Sequence, residues 1–342
     1  MTLAATADAG TRHEGSATGP AWEAPELLKD PQNRFVRDIV HLHSTMDFRD
    51  LPQHLKGAPL YYRHDERDHL ITLTVTDDQL PLRYLNGIMG FRLVQYLRLG
   101  WISSRLVYQR AVFRETVTHP PGVQNIHTIS LCTRTGRIRG YISLACTADQ
   151  VPLPLDHPRR YRFSTETAHR IDLLGQFAAP GLGTHQVFEI KRFVRDLHMA
   201  PGGTAERVPW HLLLGLGQTM VDIGDQVRVV FGDAKEHVAL RHFRLTGFDL
   251  QVPRGTTPNL PESDLMAPIY HQDVVAVPFV APVPPDLGAY MDLIRGHLDE
   301  QPGLVSLKDM VTRMNACKVA SRRQARQHAE QLGKGGTSDH RG

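Results

Sequence analysis

Of the residues able to do chemistry, the histidines are the most clustered. His41, His43 and His64 lie among Asp47, Asp65, Glu66 and Asp68, a grouping that invites a metal-site reading. Their spacing matches no known ligand pattern, and a solvated face is the better account. Cys132, Cys146 and Cys317 show no CxxC spacing, which opposes a structural zinc site or a disulfide framework. Cys132 and Cys146 sit in apolar, strand-like runs, where thiols are commonly buried and inert. No Gly-x-Ser-x-Gly elbow occurs, and the Gly-x-Gly runs at 181–183 and 215–217 lack a Rossmann setting. Two stretches hold more promise. HQVFEIKRFVRD (185–196) carries Glu189 and Arg192 in a strand-like run, and residues three apart in a strand point to opposite faces. That geometry opposes a Glu189–Arg192 ion pair unless a bulge intervenes. PGGTAER (201–207) places two glycines before an apolar helix. The glycines allow close backbone approach, and a helix N-terminus offers free N–H donors and a favourable dipole to an anion. An ordinary Gly-containing turn is the competing reading.

The elements that must hold these residues follow from periodicity. HLITLTVTD (69–77) alternates like a strand. From Pro81 to Trp101 the apolar residues Leu82, Leu85, Met89, Leu93, Tyr96 and Leu97 recur at helical spacing, with Gly100 at a plausible stop. NIHTISLCT (125–133) and IRGYISLACT (138–147) read as a hairpin around Arg-Thr-Gly-Arg. A proline-containing loop covers 148–163, and a helix is expected over 164–177 with Ser164 as its N-cap and Thr167 where a capping box wants Glu or Gln. After the strand at 185–196, PWHLLLGLGQTMVDIG (209–224) reads as a helix. Pro209 suits its first turn and Gly224 its end. DQVRVVFGD (225–233) reads as a strand, KEHVALRHFRLTG (235–247) as a helix and FDLQVP (248–253) as a last strand. The order implies an α/β (α+β) domain, a mixed central sheet flanked by helices.

With 342 residues, 41% hydrophobic and 22% charged, the chain has globular composition and ample length for a core. A net charge of +3 is too small to announce a partner, and the 19 histidines give a surface charge that titrates near neutrality. No apolar stretch approaches the roughly 18 residues of a membrane span. The start, MTLAATADAGTRHEGSATG, has no secretory h-region, so the cytoplasm is expected. Residues 1–22 and 333–342 are expected as disordered tails. A Pro-rich segment and C-terminal helices are expected over 256–332. Between 311 and 342, seven Lys/Arg stand against two acids.

Over 85–255 the chain resembles the GNAT superfamily, in the branch of the autoinducer (acyl-homoserine-lactone) synthases and N-acyl amino acid synthases. Phe188-Glu189-Ile190-Lys191-Arg192-Phe193 resembles their E-x-S-R-F strand, with Lys191 in place of serine. RAVFRE (110–115), TGRIRGYISL (135–144), VVFGD and RHFRLTGF follow in the family's order. Three positions depart. The family's Asp-x-Asp is missing from VQNIHT, Ile142 replaces an arginine, and Phe243 stands where many GNAT enzymes place a tyrosine acid.

The resemblance implies a GNAT-like acyltransferase domain over 23–255 with helical N- and C-terminal extensions. Its implied activity is N-acyl transfer from acyl-carrier protein or acyl-CoA to the amine of an amino acid or similar small metabolite. Glu189 would orient or deprotonate the nucleophile, and His242 could replace the missing tyrosine. Arg192 and Phe193 would line the substrate, with Arg192 either meeting a carboxylate or buttressing the sheet. Gly202, Gly203, Thr204 and Arg207 would cradle pantetheine phosphate. Phosphopantetheine is then a co-substrate, with no tightly bound cofactor and no metal expected. Two alternatives stand beside this: an aminoacyl-tRNA-dependent transferase whose basic run ACKVASRRQARQ holds RNA, and a non-catalytic binding module.

Overall fold

The computed structural model describes Trp22 and residues 24–115, 123–147, 149–235, 239–253, 255–256, 258, 260–271, 276–300, 309–320 and 323. The expected tails lie outside these, except Trp22, which is buried in the apolar core. The basic run ACKVASRRQARQ (316–327) is described only at 316–320 and 323, so half of the segment behind the tRNA expectation lies outside the described residues.

Helix α1 (Pro31–Ser44) starts where Asp30 accepts a 3.0 Å bond from the Gln32 N–H and Pro31 fits the first turn. It buries Val36, Ile39 and Val40 against α2 (Leu82–Arg98) and precedes β1 (Tyr61–Asp65) and β2 (Leu70–Thr76). A short α3 (Ser104–Gln109) is capped by Ser103. The expected hairpin is β3 (Asn125–Cys132) and β4 (Ile138–Ala145). The helix expected over 164–177 is only α4 (Ser164–His169), ended by Arg170 in the left-handed region. Its N-cap is Phe163, so Glu166 rather than Thr167 stands at the capping position, and its carboxylate accepts from the Phe163 N–H. Next come β5 (Val187–Arg195) and α5 (Thr204–Ile223). Pro209 lies inside α5 rather than at its start: the carbonyl it leaves unbonded, Ala205 O, accepts from Arg195 instead (2.9 Å). The chain continues through β6 (Val229–Lys235), α6 (Arg241–Leu245), α7 (Ala267–Tyr270), β7 (Ala276–Pro282) and α8 (Leu287–Asp299). The last strand expected at 248–253 makes only one bridge, Gln251 to Val280, and the real seventh strand is β7 in the Pro-rich segment.

These strands form one mixed sheet in the order β1 to β7, antiparallel at every join except β5–β6. The fold is α+β, with helices on both faces of that sheet. On one face α5 packs through Val208, Leu212 and Leu216 onto Ile126, Ile142 and Ile190, with α8 outside it. Gly140 admits this contact: a Cβ there would lie 2.5 Å from Val208 Cγ1. The other face is covered twice. Helices α1 and α2 cover Leu73, Ile129, Tyr141 and Val194, while Leu155, Phe163, Leu173 and Leu174 cover Val187, Phe231 and Val280. A gap remains between these covers, over β5 and β6.

Candidate active site

The gap is a fork in the sheet. Parallel pairing between β5 and β6 runs only from Val187–Val229 to Glu189–Phe231. Beyond it β5 follows β4 and β6 follows β7. At the crotch a Cβ on Gly232 would lie 2.6 Å from Ile190 O, so only glycine fits there. On the β5 prong the register with β4 slips between Tyr141 and Ser143, and Arg192 adopts φ +60°. This is a β-bulge that takes Arg192 and Phe193 out of the β4 ladder. The fork opens into a cavity of about 1630 Å³.

Glu189 stands at the crotch, 1% exposed. Its carboxylate accepts from Ser164 Oγ (2.9 and 3.0 Å) and the Thr165 N–H (2.7 Å), and pairs with Lys191 Nζ at 2.5 Å. Ser164 is therefore a partner of Glu189 rather than a helix cap. Burial pushes the Lys191 ammonium below the ordinary lysine range; Glu189 opposes this and Arg192 and Arg92 reinforce it.

Arg192 does not meet Glu189. The bulge turns it to Glu115, which it binds at 2.8 Å through Nε and 2.7 Å through Nη2. Arg92 of α2 closes on the other Glu115 oxygen at 2.7 Å. Burial would raise the Glu115 carboxyl, but the two guanidiniums outweigh it and hold its pKa at about 2. On the β6 prong Asp233 accepts a hydrogen bond from the Tyr270 hydroxyl, and His169 Nε2 lies 3.4 Å away.

Phe193 lines the cavity, and so does His242, whose ring lies 5.1 Å from that of Trp210 and 5.7 Å from that of Phe193. Phe243 is buried in the apolar cluster with Phe248 and Phe279, away from the cavity. Gly202, Gly203 and Thr204 form the start of α5, both glycines with positive φ and open space around them. Glu206 and Pro209, further along α5, line the cavity. Arg207, expected at the phosphate, is buried elsewhere: its Nε donates to Asp68 (2.6 Å) and its Nη2 to Leu298 O (2.7 Å). Its guanidinium is committed to Asp68 and the α8 carbonyls and is not among the residues lining the cavity.

The upstream histidines do not converge. His43 donates to Phe113 O at 2.5 Å. Among the described residues the grouping compact enough for a cation is Asp65, Asp68 and His211, but Arg63 and Arg207 already neutralise its carboxylates. In the segment where the family has Asp-x-Asp, His127 bridges Asp77 (2.7 Å) and the Tyr141 hydroxyl (2.7 Å), a buried clamp across β3 and β4.

Sequence reasoning missed Glu115, Arg92, Asp233 and the role of Lys191. Glu115 lies in RAVFRE, but its partners are 23 and 77 residues away, and no local pattern announces such a pair.

No family model and no curated protein matches the sequence. Among solved structures the chain is similar to a CoA-dependent acyl-homoserine lactone synthase, BjaI, with SAM and isopentyl-CoA. That match has 16% identity, a TM-score of 0.37 and coverage of 69% of this chain and 95% of that one. It is also similar to the AHL synthase LasI, at 11% identity and a TM-score of 0.40, covering 63% and 91%. The same BjaI enzyme with MTA gives 16%, 0.35, 69% and 93%.

Proposed function

We propose that this chain is an acyltransferase that moves an acyl group from an acyl-CoA or acyl-carrier-protein thioester to the amine of an amino acid or similar small metabolite. The observation that carries this reading is the fork: a sheet parted at β5–β6 over a large cavity, with a carboxylate–lysine pair at its crotch. Arg192 and Phe193 lie outside both neighbouring ladders, so their backbone N–H groups are the donors best placed for a thioester carbonyl. Donors aimed where negative charge develops are the main catalytic resource of acyl transfer. Glu206 and Pro209 of α5 border the same cavity, which supports Gly202, Gly203 and Thr204, just before them in the chain, as the cradle for the phosphate end of a pantetheine arm.

An amine acceptor suits the charges on both prongs. Asp233 lines the cavity, with the Tyr270 hydroxyl donating to it and His169 beside it, and a carboxylate so placed attracts an ammonium. The apolar side, with Trp210, Leu212 and Phe193, suits an acyl chain. Holding both partners at bonding distance supplies much of the rate.

The test is thiol release from short- and long-chain acyl-CoA in the presence of mixed amino acids, with mass spectrometry of the amide formed. Glu189→Gln is expected to lower transfer by about 10²-fold or more. Thioester consumption without any amide, or an unchanged rate in Glu189→Gln, overturns the reading.

A further inference from the structure

Resting on that reading, we propose that Lys191 is the acid–base residue of the transfer: its Nζ takes the proton of the attacking amine and returns it to the departing thiolate. Glu189 then acts as a positioning residue. The geometry separates the two roles. Each Glu189 oxygen is occupied, by Ser164, the Thr165 N–H or Lys191 itself, so the carboxylate has little capacity left for a substrate proton. Lys191 is one strand step further into the fork on the same face, and it lines the cavity. A neutral Lys191 donates one N–H to Glu189, which leaves its lone pair for the cavity.

The surroundings weaken the ammonium form. Arg92 from α2 and Arg192 from the bulge add positive charge beside Lys191, and burial removes the water that would stabilise an ammonium. Glu189 opposes them, while Glu115 is consumed by the two arginines. Across the fork Asp233 is bonded to Tyr270. A lysine whose ammonium is weakened in this way gives up and recovers a proton more readily than one in water.

The step balances. The amine nitrogen forms a bond to the thioester carbon, giving a tetrahedral adduct with a positively charged nitrogen. That nitrogen loses its proton to Lys191 Nζ. The carbon–sulfur bond then breaks with its electron pair on sulfur, and the Lys191 ammonium protonates the thiolate. The lysine ends as it began, and the products are an amide and a free thiol.

Trace acetylation with acetic anhydride across pH, read at the Lys191 peptide by mass spectrometry, tests the state of the amine without any transfer assay. Lys191 is expected to label with a midpoint below that of the other lysines, and lower still in Glu189→Gln. A midpoint matching the other lysines, or no labelling at any pH, overturns the proposal. In the transfer assay, Lys191→Arg should keep the fold, read by thermal unfolding, yet lose about 10²–10⁴-fold in kcat. Lys191→Ala should regain part of its rate with added ethylamine. Transfer that is unchanged in Lys191→Arg overturns this assignment alone. A wild-type chain inactive with every thioester overturns the functional reading as well.

Discussion

Glu115 shows how a side chain can be essential to a site that its neighbours in sequence do not announce. It is buried between Arg92 and Arg192 and holds the bulge of β5 to α2. Its folded pKa of about 2 lies below the ordinary 4.5. The stability it contributes is therefore fully present above about pH 4.5 and is lost as pH falls toward 2, about 3 kcal/mol in all. Urea unfolding from pH 7 to pH 3 should show this loss, and Glu115→Gln should flatten it. At neutral pH the same variant leaves two buried guanidiniums without their anion and should cost about 3–5 kcal/mol. An unfolding midpoint within experimental scatter of wild type would count against both statements. The strand that carries Glu189 and Phe193 was legible in the sequence because VFEIKRFVR is rich in strand-favouring residues. Arg207 was misjudged because sequence places it beside a glycine loop, whereas a helical turn swings its side chain to Asp68 and the α8 carbonyls. Only the packing of α8 decides that outcome.

At the level of elements, legibility followed the strength of the periodic signal. Helix α2 and the β3–β4 hairpin have clean periods and were placed to within a few residues. Strand β7 was hidden by Pro278 and Pro282, which lack a donor; among the described residues its full-length pairing is with β6, and its other side meets a single bridge from Gln251, so it behaves as an edge strand, which tolerates such residues. The early start of α5 was hidden by Pro209, whose unmet acceptor Arg195 satisfies from the neighbouring strand. Two substitutions test the geometry. Gly232→Ala drives a methyl against Ile190 O at the crotch and should cost about 1–3 kcal/mol by overpacking. Loss of transfer should accompany it, measured by thiol release in the folded fraction. Arg170 ends α4 with φ 51° and is exposed, so Arg170→Gly should gain about 1 kcal/mol by relieving left-handed strain. An unchanged or lower urea midpoint would refute the second expectation.

For the whole molecule, the α+β class was legible from the alternation of patterns, but the parting of the sheet was not. Sequence specifies which strands exist, while the place where two of them separate depends on a bulge, a glycine and the covers on one face acting together. If the fork receives a thioester, binding should couple to global stability: acyl-CoA at about 100 times its Kd should add about 2.7 kcal/mol. Thermal unfolding over a series of acyl-CoA concentrations should show a rising Tm, and a flat response would argue against donor binding at the fork. On the proposed reading the parted join would also set how a donor is recognised. A sheet interrupted between two of its strands presents two rows of peptide groups with a missing rung between them, and an extended arm bearing amides can lie there as a guest strand. Such a guest is read by main chain, which every residue type supplies alike. Surface evolution along β5 and β6 could therefore retune the acyl chain and the acceptor while the grip on the carrier arm stayed constant.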